Sequence, residues 1–121
     1  MSYIGFIGLG LMGMPMAGHL LDAGHNVFTS VRKTPAPDEL LEKGLHVRGG
    51  AKEVAEVADV IILMLPDTPQ VEHVLFGENG VSEGLTPGKT VIDMSSISPI
   101  ATKEFAGKIN GLGCSYLDAP V

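Results

Sequence analysis

The feature that most restricts the fold is the placement of three glycines. Gly8, Gly10 and Gly13 stand at G-x-G-x-x-G spacing directly after the short apolar segment Tyr3-Ile-Gly-Phe-Ile7. Behind them Met12, Met16, Leu20 and Leu21, with Ala17, recur at steps of three and four, the period of a helix with one apolar face. A strand, a glycine turn and a helix in that order open a βαβ unit. Gly8 permits the tight turn out of the strand, Gly10 lets the backbone approach a diphosphate, and Gly13 lets helix and strand pack closely. The helix N-terminus offers unpaired N–H groups and a partial positive charge to an anion. The loop Gly8-Leu9-Gly10-Leu11-Met12-Gly13 is therefore a candidate dinucleotide cradle. A glycine turn without a ligand is the competing reading of the same residues.

The rest of the chain keeps alternating. Leu11 to Ala23 reads as the first helix, with Pro15 in its first turn and Gly24 as its stop. Asn26 to Ser30 reads as the second strand, Asp38 to Lys43 as a short helix stopped by Gly44, His46 to Arg48 as a brief third strand and Ala51 to Val57 as another helix. Asp59 to Leu65 is a continuous apolar run, as a parallel strand covered on both faces requires, and Pro66 ends it. Thr68 to Leu75 suits a helix with Thr68 as N-cap. Gly77 to Gly88 is punctuated by glycine, with room for one helical turn. Thr90 to Met94, Pro99 to Asn110 and Ser115 to Asp118 complete the series as strand, helix and strand. Strands alternating with helices call for a parallel sheet with right-handed crossovers. The expected class is α/β, a doubly wound (Rossmann) parallel sheet with ligands at the carboxyl ends of its strands.

With 121 residues the chain suffices for one core, and 45% hydrophobic against 18% charged residues is a globular balance. The net charge of -6 speaks against a nucleic-acid partner, which needs clustered Lys and Arg. It leaves room for a small anion held by backbone N–H groups and one or two local cations. One cysteine, Cys114, excludes an internal disulfide and reads as a small buried hydrophobe. No basic n-region opens the chain, and no unbroken apolar run approaches the ~20 residues a bilayer requires. A cytoplasmic protein with no membrane partner is expected.

The end of the second strand bears on cofactor choice. NAD-selective sites place an Asp or Glu there for the ribose 2′-hydroxyl. No acidic residue occurs between Asp22 and Asp38, and the segment reads Thr29-Ser-Val-Arg-Lys-Thr34. Arg32 can pair with a 2′-phosphate, and Ser30, Val31, Lys33 and Thr34 surround it in sequence. NADP is the expected cofactor, with NAD as the alternative. A solvated surface pair, Arg32 and Lys33, is the competing reading.

These residues resemble a known family. Gly5-Phe-Ile-Gly-Leu-Gly-Leu-Met-Gly-Met-Pro-Met16 is similar to the opening of the β-hydroxyacid dehydrogenases, the 3-hydroxyisobutyrate dehydrogenase-like family to which 6-phosphogluconate dehydrogenase is more distantly related. Met64-Leu-Pro-Asp-Thr-Pro69, Phe76-Gly-Glu-Asn-Gly80, Asp93-Met-Ser-Ser-Ile-Ser-Pro99 and Leu117-Asp-Ala-Pro-Val121 extend the resemblance along the whole chain. It implies reduction of a small oxo-acid, such as tartronate semialdehyde, to a hydroxy acid. It implies that Met64, Leu65 and Pro66 line the cofactor near its nicotinamide ribose, and that Ser96 contacts the nicotinamide end and the substrate. Asp118, Ala119, Pro120 and Val121 match the start of a substrate loop. The family's catalytic lysine lies beyond that loop, so the resemblance implies no catalytic residue within residues 1–121. It also implies a cofactor domain incomplete at its C-terminus and lacking the all-helical domain that follows. A sheet so truncated exposes an apolar edge, which points to a homo-oligomer.

Nothing else in the chain offers a proton donor. Lys103 and Lys108 fall on the last helix and are expected to face solvent, and His19, His25, His46 and His73 have no carboxylate at a telling spacing. His25 suits the helix dipole near the end of the first helix. Asp67 and Asp93 read as a turn residue and a strand-end cap. A non-catalytic dinucleotide-binding or oligomerisation module remains open beside the reductase. A methyltransferase is a third reading, weakened by the missing acid after strand two.

Overall fold

In a computed structural model that describes residues 2–8, 13–30, 36–95 and 97–119, six parallel strands form one sheet. They are β1 (Tyr3–Ile7), β2 (Asn26–Ser30), β3 (His46–Arg48), β4 (Val60–Leu63), β5 (Thr90–Asp93) and β6 (Ser115–Asp118). Between them lie α1 (Gly13–Asp22), α2 (Asp38–Glu42), α3 (Ala51–Val57), α4 (Thr68–Phe76), α5 (Val81–Gly84) and α6 (Pro99–Gly111). The spatial order is β3-β2-β1-β4-β5-β6. Chain order therefore reverses between β1 and β4, which pair from Ile4↔Val60 to Ile7↔Leu63. This is the doubly wound order, and its reversal is where such sheets open a crevice for ligands.

Alternation along the strands explains the two-sided packing. Ile61 and Leu63 join one buried cluster with Ile7, Val91, Val54 and Phe105. Ile62 and Met64 point to the opposite cluster, with Phe6, Ala17, Val27 and Leu40. Helices α1 and α2 cover one face, and α3 to α6 cover the other. Burying such side chains is the main favourable term in folding, about 1.5–3 kcal/mol for each large apolar residue. Ile92 and Leu117 point to the α1–α2 side beyond the reach of those helices. Both stand outside the two clusters, and Leu117 is 52% exposed.

The helices end where backbone chemistry ends them. Gly24 and Gly44 follow α1 and α2 with φ of 91° and 105°, a region that favours glycine. Lys89 reaches across to donate to the carbonyls of Ala55 (2.5 Å) and Glu56 (3.0 Å) near the end of α3. Helices α1, α2, α4 and α6 each end one residue from the expected position, at Asp22, Glu42, Phe76 and Gly111, and larger corrections fall elsewhere. The fourth strand is Val60–Leu63 rather than Asp59 to Leu65, although Asp59 and Met64 each still donate to β1 (2.8 Å to Tyr3 O, 2.9 Å to Ile7 O). The fifth strand stops at Asp93, because the Asp93 side chain turns the backbone there. The N-cap of α4 is Asp67, not Thr68: the carboxylate accepts from Gln70 N–H at 3.0 Å, and Thr68 is the first helical residue.

Candidate functional site

Three loops meet at the carboxyl ends of the central strands. The first leaves β1 at Gly8, whose φ is 108°. A Cβ on Gly8 would strike the Met64 carbonyl oxygen, so the loop after β1 lies against the loop after β4 with no room for a side chain. A Cβ on Gly13 would strike the Gly8 carbonyl oxygen and come within 3.1 Å of the Phe6 ring. The start of α1 is thus pressed onto the strand it follows, as the close packing expected of Gly13 requires. The first turn of α1 carries no acidic residue to offset its positive end. Leu9, Gly10, Leu11 and Met12, between these glycines, lie outside the described residues.

The second loop begins at Met64. Met64 and Leu65 are half-buried and Pro66 is exposed. The third follows β5 and is tied to the second at two points. Leu65 N–H donates to Ser95 Oγ at 2.8 Å, and Ser98 N–H donates to Thr68 Oγ1 at 3.3 Å. Ser98 in turn caps α6 by accepting from Ala101 N–H at 3.1 Å. Ser96 lies outside the described residues.

Beneath this junction is a polar chain that sequence reasoning missed. Ser95 N–H donates to Asp93 Oδ1 at 2.9 Å, and Tyr116 Oη donates to Asp93 Oδ2 at 2.6 Å. Asp93 and Ser95 are buried. The expected strand-end cap is present as the Asp93–Ser95 bond. The link to Tyr116 depends on β5–β6 register, Val91↔Tyr116 and Asp93↔Asp118, which no local pattern encodes. Burial holds the Tyr116 phenol well above its ordinary range, and the hydrogen-bonded Asp93 carboxylate and nearby Asp118 push it further.

Ser30 ends β2 half-buried, opposite Arg48 in register. Val31, Arg32, Lys33 and Thr34 lie outside the described residues, as do Pro120 and Val121. Asp118 and Ala119 are exposed at the end of β6, and Ala119 N–H donates to Asp93 O at 2.9 Å. The remaining candidates take structural places. His25 Nδ1 accepts from Ser2 N–H at 3.2 Å, and His46 stacks on Phe28 with ring centroids 4.9 Å apart. Lys103 is exposed, and Lys108 sets its ammonium 4.8 Å from the Phe76 ring. Cys114 is buried, its thiol donating to Thr86 O at 3.1 Å. Among the described residues no cluster of His, Cys, Asp and Glu could hold a metal ion, and no helix is long and apolar enough to cross a membrane.

A crowded glycine turn at the reversal of a doubly wound sheet, opening a helix whose first turn carries no acidic residue, defines a dinucleotide-binding domain. Residues 3–121 match the family described as the NAD binding domain of 6-phosphogluconate dehydrogenase, and the chain belongs to that family. It is 55% identical over 118 residues to 2-hydroxy-3-oxopropionate reductase of Escherichia coli (strain K12), covering 98% of this chain and 40% of that protein. It is 43% identical over 121 residues to 3-sulfolactaldehyde reductase of the same organism, covering 100% of this chain and 41% of that protein. The solved 3-hydroxyisobutyrate dehydrogenase of Mycobacterium tuberculosis, described with L-serine, superposes with a TM-score of 0.90 at 35% identity, over 100% of this chain and 40% of that one. The chain thus spans well under half the length of each of these proteins.

Proposed function

We propose that this chain is the cofactor-holding part of an oxidoreductase that uses NADP in preference to NAD to reduce a small oxo-acid, such as tartronate semialdehyde, to the hydroxy acid. The observation that carries the reading is the approach of Gly8 to Met64 at the β1–β4 reversal, a cradle that any side chain would fill. The residues fit a dinucleotide. Gly8 to Gly13 would hold the diphosphate with backbone N–H groups, and Met64 to Pro66 would lie along the nicotinamide half. When bound, the nicotinamide supplies the hydride for carbonyl reduction. The acid-free segment Ser30 to Thr34, with Arg32 and Lys33, supports NADP through a charge-assisted contact to the 2′-phosphate.

Ser96 and Asp118 to Val121 are assigned to the substrate side. The proton donor is assigned, on the family resemblance, to a lysine outside residues 1–121; Lys103 and Lys108 of α6 are exposed. The chain alone is therefore expected to bind cofactor and show no turnover. Self-association belongs to the same reading, supported by the exposed Leu117 and half-buried Ile92 on the uncovered sheet face.

Calorimetric titration of the 121-residue chain with NADP and NAD tests the cofactor assignment. Wild type is expected to favour NADP, and Arg32→Ala to lose about tenfold to a hundredfold of that preference. A wild-type preference for NAD refutes the assignment. NADPH oxidation with tartronate semialdehyde is the companion assay, and robust turnover by the 121-residue chain refutes the placement of the proton donor.

A further inference from the structure

We propose that Asp93 and Tyr116 are positioning residues for the cofactor, fixing the backbone of the Met64–Pro66 turn through Ser95. The inference rests on the cofactor reading above and adds residues to it.

The geometry is one unbroken chain of donors and acceptors. Tyr116 on β6 donates to Asp93 at the end of β5, Asp93 accepts from the N–H of Ser95, and Ser95 Oγ accepts from the N–H of Leu65 beyond β4. Three neighbouring strands are joined, Tyr116 reaching from within β6 to the carboxyl end of β5, and the last link is a backbone group of the turn assigned to the cofactor. Asp93 is fully buried, yet among the described residues its carboxylate faces no cation. A buried carboxylate is costly unless its oxygens are satisfied. Here the satisfying donors come from two different segments, and both oxygens are met only when β6 and the Ser95 turn are in place. A network of that kind holds one arrangement against others, since a half-satisfied state is penalised in the low-dielectric interior. The second tie, Ser98 N–H to Thr68 Oγ1, fixes the far end of the same pair of loops. With both ends tied, the orientation of the Leu65 peptide is set by Ser95, and that of Ser95 by Asp93. The raised Tyr116 phenol fits a hydroxyl that stays protonated and donates to a charged carboxylate.

The test is NADPH titration calorimetry on the 121-residue chain, with thermal melts alongside. Tyr116→Phe and Ser95→Ala are each expected to weaken NADPH binding about 2- to 10-fold, the scale of one hydrogen bond. The double variant is expected to be no weaker than the worse single variant, because both cut one chain. Asp93→Asn keeps an acceptor for Ser95, and its amide can donate to a rotated Tyr116 hydroxyl, so it is expected to bind more tightly than Asp93→Ala. Ile109→Ala empties a buried site at the other end of α6 and is expected to lower the melting temperature while leaving affinity unchanged. Wild-type affinity in both Tyr116→Phe and Ser95→Ala overturns the inference while leaving the cofactor reading intact. So does an affinity loss that Ile109→Ala shares, or strict additivity in the double variant. A wild-type chain that binds neither NADPH nor NADH overturns the cofactor reading and this inference with it.

Discussion

Replacing glycine by alanine should have opposite effects at two positions. At Gly13 the new methyl meets the Gly8 carbonyl oxygen, a backbone atom, and the ring of Phe6, which is fully buried, so neither yields easily. Overpacking of this kind costs about 1–3 kcal/mol. The entropy gain of Ala over Gly, at most about 1 kcal/mol, is reduced at the first residue of a helix. The net loss is then about 1–2 kcal/mol, or a melting temperature lower by about 4–8 °C for a domain of this size. At Gly107, inside α6, an added Cβ meets nothing within 4 Å. There only the entropy and propensity terms act, and Gly107→Ala should raise stability by about 0.5–1 kcal/mol. Thermal unfolding followed by circular dichroism on both variants and the wild type reads the two signs. A Gly13→Ala protein that melts at or above the wild-type temperature refutes the argument that α1 is pressed against β1. A Gly107→Ala protein that melts lower refutes the open surroundings assigned to that helix face.

Phe105→Ala should cost about 3–5 kcal/mol, since the ring is almost wholly buried and packs on Phe76 at 5.5 Å; urea unfolding measures it, and a loss under 1 kcal/mol counts against the packing. Tyr116 holds its proton more tightly folded than unfolded, so its contribution is full below the unfolded pKa of about 10 and declines as pH rises through that value toward the raised folded one. The decline is at most about 1.4 kcal/mol per pH unit, less because the side chain is only half-buried, and Tyr116→Phe should flatten it in alkaline unfolding curves; identical curves refute the linkage. Leu117→Lys should lower the mass seen by light scattering if the uncovered sheet face drives association, and an unchanged oligomer places the contact elsewhere.

Much of this architecture is legible in residue order because local chemistry and tertiary role agree. The Tyr3–Ile7, Asn26–Ser30 and Ser115–Asp118 strands and the Ala51–Val57 helix fall where apolar runs, glycines and prolines place them. One error arises where two groups compete locally. Asp67 and Thr68 can each cap a helix, and backbone geometry decides for Asp67. Thr68, freed from capping, takes up Ser98 instead, a partner thirty residues away. The site divides in the same way. The crowding at Gly8 and Gly13 follows from the motif, whereas the Tyr116–Asp93–Ser95–Leu65 chain requires the register of three strands. Asp-Met-Ser at positions 93–95 carried one usable signal, a side chain able to accept from the backbone two residues on. The hydroxyl of Tyr116 carried none.

The reversal of strand order also has a consequence in time. On one side β1 can pair early with β2, but its other edge waits for Val60 to Leu63, and parallel pairing across such a gap forms slowly. Until those residues arrive, Gly8 has no Met64 carbonyl to rest against and Ile7 O has no donor from Met64. A ribosome that has released only β1 to β3 has therefore made Gly8 without the Met64 carbonyl it lies against. The contact that seats Gly8 can form only after the fourth strand docks, about fifty residues after the glycine itself is made.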